Sequence, residues 1–73
     1  STEDAERSQS IGALFKSWRI EARLTQDEVA QKAGTSRTYI SKLENDTQAI
    51  ELKTLSKIVE ASLGKRLVLS LQS

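Results

Sequence analysis

Residues 26–45, QDEVAQKAGTSRTYISKLEN, constrain the fold more than any other part of the chain, because a lone glycine divides two short runs of helical periodicity. Val29, Ala30 and Ala33 mark the inward face of the first run, and Ile40 and Leu43 that of the second. Thr25 followed by Glu28 spells a capping box: the hydroxyl covers an amide of the first turn and the carboxylate returns to the Thr25 amide, starting a helix near Gln26. Gly34 stands where the chain must leave that helix in a left-handed conformation, which glycine enters without steric penalty. Ser36 is placed to cap the next helix. Ala30 falls where the two helices cross, so small size is its requirement.

Two short helices joined by one tight turn, the second with polar Arg37, Thr38, Ser41 and Lys42 left on its free face, form the pattern of a helix-turn-helix. Upstream, Ser10 can cap a helix running to about Arg23, with Ile11, Leu14, Phe15, Trp18 and Ala22 on one stripe of a 3.6-residue period. Trp18 lies inside that stripe, which favours core packing over an interface anchor. Downstream of a loop from Asp46 to about Ile50, the apolar residues Leu52, Leu55, Ile58, Val59 and Leu63 mark a fourth helix that ends at Gly64. The first nine residues, STEDAERSQ, carry no apolar periodicity and read as a disordered polar tail.

Composition narrows the function classes. The 73 residues suffice for one domain and contain no Cys, His or Met, so disulfides, the usual zinc ligand sets and Ser-His or Cys-His catalytic pairs have no residues to use. The expectation is a binding protein without cofactor or metal, not an enzyme. No apolar run approaches the length of a membrane span and the N-terminus is unlike a signal peptide, which points to the cytoplasm. The net charge is only +1, yet from Lys16 to Lys42 six basic residues (Lys16, Arg19, Arg23, Lys32, Arg37, Lys42) face three acidic ones (Glu21, Asp27, Glu28). Positive charge is therefore concentrated where the polar helix face lies, as a nucleic-acid-binding surface requires.

The tail has a different period. In Arg66-Leu67-Val68-Leu69-Ser70-Leu71, the leucines at 67, 69 and 71 alternate with other residues and fall on one side of an extended segment. A lone strand leaves its backbone unpaired, so the partner must be another chain. A second copy paired antiparallel through Leu67, Val68, Leu69 and Leu71 is the economical answer, giving a homodimer. The expected architecture is all-α: a four-helix domain over residues 10–64 with a short dimerisation strand over 65–73. A disordered or helical tail is the alternative.

The run LTQDEVAQKAGTSRTYISKLEN, with Arg19 ahead of it, resembles the Cro/cI family of phage repressors, also called the XRE family, and the likeness spans roughly residues 11–64. The family usually has Gly after the Glu-Asn pair, whereas this chain has Asp46, a residue that tolerates the left-handed region better than most. The resemblance implies a lambda-repressor-like fold, double-stranded DNA as partner, and a structural ion pair between Arg19 and Glu44. With the second helix of the motif in the major groove, Arg37, Thr38, Ser41 and Lys42 become candidates for base edges. Gln26, Ser36, Tyr39 and Asn45 become candidates for phosphates, with Tyr39 equally able to pack inward. A dimer would then read a palindromic operator with half-sites about 34 Å apart.

A helix-turn-helix followed by SLGKRLVLSLQ also resembles antitoxins of the HigA and HipB kinds, bacterial repressors that hold a toxin inactive. That resemblance implies a toxin partner, an RNA endonuclease or a kinase, and autoregulation of the operon. Its docking surface would be Ser1 to Ser10 with the outer side of the first helix. The alternative is a stand-alone phage-type or restriction-controller repressor with no toxin.

Overall fold

A computed structural model describes residues 10–71 of the chain. The expected polar tail, residues 1–9, and positions 72 and 73 of the expected strand segment lie outside the described residues. Four helices follow in order: α1 Ile11–Glu21, α2 Gln26–Ala33, α3 Arg37–Glu44 and α4 Leu52–Leu63. The all-α expectation holds. Phe15, Val29, Ile40, Leu43 and Leu55 are fully buried, with Ala30, Ile58 and Val59 completing the core. Helix α2 packs on both α3 and α4, while α1 closes over α3. Trp18 is half-buried and meets Phe15 edge-on, their ring centroids 6.4 Å apart at 71°.

The apolar stripe of α1 reaches further in sequence than in packing. Ile11 is exposed although its neighbour Gly12 is buried against the end of α3, and Ala22 lies beyond the last helical residue as an exposed C-cap. Leu52, in the first turn of α4, is exposed as well. Helix α1 ends at Glu21, short of the expected Arg23, whose own backbone turns left-handed at φ 60°.

That ending recurs. Leu24 N–H donates to Arg19 O (3.1 Å) after left-handed Arg23, Thr35 N–H to Ala30 O (2.9 Å) after Gly34, and Thr47 N–H to Lys42 O (2.9 Å) after Asp46. Each is the Schellman closure that satisfies helix carbonyls otherwise left without donors. Gly34 adopts φ 71° without cost. Asp46, at φ 58°, carries a penalty of about 1 kcal/mol for a residue with a Cβ.

An interaction 34 positions away offsets it. The Asp46 Oδ1 accepts a hydrogen bond from Gly12 N–H (3.0 Å), one of the α1 amides with no partner inside the helix, while Ser10 Oγ takes Ala13 N–H (3.0 Å). A carboxylate at a helix N-terminus is also favoured by the helix dipole. The approach is possible only because residue 12 lacks a side chain. A Cβ there would press on the Leu43 carbonyl and lie 2.7 Å from both Asp46 Oδ1 and the Glu44 carbonyl.

Beyond Gly64 the expected strand over 66–71 is not formed, and no strand occurs among the described residues. A single extended segment finds no ladder partner within its own chain. Nor do its leucines share one environment: Leu67 packs against the core, whereas Leu69 is 67% and Leu71 fully exposed, with Val68 at 74% between them. Between this tail, α1 and α4 runs an open groove lined by Trp18, Ala22, Val59, Leu63, Leu67 and Val68. Among the described residues no helix is long and apolar enough to cross a membrane.

Gly12→Ala should lower stability by about 1–3 kcal/mol, read as an earlier urea midpoint, since two carbonyls and a carboxylate must move. Alanine normally favours a helix over glycine, so a stabilised variant would show that the close approach is not maintained.

Candidate nucleic-acid interface

Helix α3 presents two faces built from eight residues. Ile40, Leu43 and Glu44 are buried on the inner side, while Arg37, Thr38 and Lys42 are exposed and Ser41 is half-buried at the edge. Tyr39 is half-buried and packs against the core rather than joining the exposed row. Ser36 starts the helix, its Oγ accepting Tyr39 N–H at 3.1 Å, which leaves its O–H proton to donate to a ligand. Asn45 is the exposed C-cap at the far end.

What holds this helix in place is its last residue. The buried Glu44 carboxylate accepts Arg19 Nε on Oε2 (2.6 Å) and Arg19 Nη2 on Oε1 (3.0 Å), a two-pronged pair, and Arg19 Nη1 donates to the Leu24 carbonyl (2.9 Å). Only 12% of the Arg19 side chain and 2% of that of Glu44 reach solvent. Hydrogen bonding to Glu44 raises the Arg19 pKa above its ordinary value, outweighing burial, so the guanidinium stays charged. The ion pair brings α1, the α1–α2 turn and the end of α3 onto one point.

Gln26 joins the same point. Its Nε2 donates to Glu44 Oε1 at 3.1 Å, which orients the half-buried amide. One N–H and the carbonyl oxygen of that side chain remain uncommitted. Arg19, Leu24, Thr25, Gln26, Asp27 and Arg37 together line an open recess between the N-termini of α2 and α3. Arg37, 67% exposed, points back toward α2, its Nε 3.9 Å from Asp27 Oδ1.

The structure thus brings Gln26 and Arg37 to one recess, sets Thr38 and Lys42 along the adjoining exposed face, and turns Tyr39 aside. Three residues escape the sequence reading in these roles. Asp27 stands beside the candidate base-reading arginine, a juxtaposition set by the crossing of two helices and invisible in spacing. Asp46 and Gly12, far apart in the chain, tie the exit of α3 to α1.

Around Thr25 the capping box is complete. Glu28 N–H donates to Thr25 Oγ1 (3.0 Å) and Thr25 N–H to Glu28 Oε1 (2.9 Å). The bond from the Thr25 backbone, helped by that residue's side chain, pulls the Glu28 pKa below the usual carboxylate value.

Comparison with known proteins adds a family. The profile of the family described as Helix-turn-helix matches residues 15–61. The chain is 46% identical over 50 residues to the "ImmF control region 10 kDa protein" of Bacillus phage phi105, an alignment covering 68% of this chain and 56% of that protein. It is 36% identical over 52 residues to the "Immunity repressor protein" of the same phage, covering 71% of this chain and 36% of the relative. The chain therefore spans about half the length of the first of these relatives and about a third of the second. No solved structure matches the chain significantly.

The depressed Glu28 pKa fixes a sign for acid sensitivity. Its contribution to stability is fully present above the pKa of the unfolded chain and is lost as pH falls through the lower folded value. Glu28→Gln, which keeps an acceptor for the Thr25 amide, should therefore lose less stability than the parent between neutral and acid pH in urea titrations. Equal losses would mean that the box does not titrate with folding.

Proposed function

This chain belongs to the helix-turn-helix family of the Cro/cI (XRE) kind, and from that premise we propose that it is a sequence-specific DNA-binding repressor of transcription, of the phage-control type, acting in the cytoplasm of a bacterial host. The observation that carries the proposal is the division of α3: a buried inner face locked by Arg19 and Glu44, and an outer row of Arg37, Thr38 and Lys42 with no packing role. A rigid helix with free polar side chains can enter the major groove without rearranging the core. Arg37 at its first turn offers two parallel N–H donors, which match guanine O6 and N7. Thr38, Ser41 and Lys42 continue the row along the bases. Gln26, oriented by Glu44 at the N-terminus of α2, and Ser36, through its proton, meet phosphates. Asn45 extends that backbone contact. Tyr39, turned toward the core, serves packing first.

The protein acts as a homodimer in this reading. Val68, Leu69 and Leu71 project into solvent, and pairing two tails as antiparallel strands covers them while satisfying the ladder that one chain cannot complete. Two α3 helices then address a palindrome with half-sites about 34 Å apart. The antitoxin reading, with a toxin partner that is an RNA endonuclease or a kinase, draws support from the tail and from the groove beside Trp18. The relatives' printed names, immunity repressor and immunity control region, favour the stand-alone phage-type repressor. Co-purification with the products of neighbouring genes separates the two: a stoichiometric second protein makes it an antitoxin, and an empty dimer that still shifts promoter DNA leaves a plain repressor.

Arg37→Ala should relax the base preference at one operator position, a loss of about 1–3 kcal/mol in discrimination, while Gln26→Ala should weaken all sequences alike. Binding by both variants at parental affinity and preference would overturn the α3 assignment. Leu69→Lys combined with Leu71→Lys should yield folded monomers by sedimentation, because neither side chain belongs to the core. An intact dimer would remove the paired tails.

A further inference from the structure

The recess between the N-termini of α2 and α3 mixes charges that a phosphate-binding surface has reason to avoid. Asp27 lies one residue after Gln26, in the first turn of α2, with its carboxylate exposed on the side where DNA would approach. Its neighbour Glu28 is occupied by the capping box, and Glu44 is buried against Arg19. Asp27 takes part in neither contact, and its Oδ1 stands 3.9 Å from the Nε of Arg37.

We propose that Asp27 is a specificity-determining residue, holding Arg37 as a masked cation that guanine can claim and a lone phosphate cannot. The inference rests on the DNA-binding reading above. On random DNA the available reward is a phosphate contact, which is a point-charge attraction screened by salt. Taking Arg37 there means giving up Asp27 for a partner of similar strength, while the Asp27 charge repels the same phosphate. At the operator, the two-pronged guanine contact is directional and exceeds an exposed ion pair, whose worth is small. Asp27 therefore suppresses indiscriminate binding more than operator binding, and the ratio between them rises. The exposure of both side chains, 67% for Arg37 and 73% for Asp27, leaves the arginine free to swing between partners.

The test uses the full chain and two duplexes: a site selected by the parent protein from a random-sequence library, and a scrambled duplex of equal composition. Asp27→Asn should bind the scrambled duplex up to about fivefold more tightly, with its log-log salt slope steeper by about 0.9, one additional phosphate neutralised. Affinity for the selected site should change less, so discrimination falls. In an Arg37→Ala background the same substitution should leave discrimination unchanged. Equal tightening on both duplexes, or an undiminished effect without Arg37, would reduce Asp27 to a general repulsive charge and overturn the proposal. A parent protein that selects no site at all would overturn the DNA-binding reading, and this inference with it. A unchanged thermal melt for Asp27→Asn is the accompanying control for folding.

Discussion

The buried pair between Arg19 and Glu44 is the constraint on which the remaining geometry depends. Three hydrogen bonds leave the Arg19 guanidinium and three reach the Glu44 carboxylate, so neither group is left with a bare charge in the interior. Desolvating such a pair cancels much of its attraction, and the same positions filled by apolar residues could match its stability. Its value lies in position. An apolar contact would allow α3 to rotate about its axis by several degrees, whereas a two-pronged pair at 2.6 and 3.0 Å allows one arrangement. Removing one partner strands the other, at a cost of about 3 kcal/mol or more in comparable buried pairs, a large share of what a chain of this size can supply.

From that lock the surface inherits its order. The carboxylate that fixes Arg19 also fixes Gln26, so the end of α3 sets the side-chain orientation at the start of α2. The Asp46–Gly12 contact secures the other side of the same helix exit, closing it against α1. Between them the two carboxylates leave α3 held at its C-terminal end by polar contacts and along its length by Ile40 and Leu43. A helix of eight residues has little stability of its own, and tertiary anchoring replaces what length would provide.

Much of this was legible in the sequence because the signals are local. Thr25 and Glu28 are three residues apart, Gly34 and Gly64 each follow a periodic run, and the resulting helices begin or end where those signals stand. The α1 stripe was legible as a face but not in extent, since periodicity cannot say which of its positions neighbouring elements cover, and Ile11 and Ala22 are exposed. The pairing of Asp46 with Gly12 bridges 34 positions and rests on a missing Cβ, which no local pattern encodes. Alternation in the tail describes an extended chain equally well with or without a ladder, so it could not separate Leu67, which packs inward, from Leu69 and Leu71. In the candidate site, the residue types on α3 were readable, but the neighbourhood of Asp27 and Arg37 arises only when two helices cross.

The two-sided character of α3 has a consequence for how such a protein changes over generations. Side chains that hold the helix, Ile40, Leu43 and Glu44, are separate from the exposed ones, Arg37, Thr38 and Lys42. Exposed substitutions away from caps and networks typically shift stability by no more than about 0.5 kcal/mol. The outer row can therefore be exchanged freely while the scaffold stays above its folding threshold, and the exposed surface of α3 can change over a lineage without passing through an unfolded ancestor.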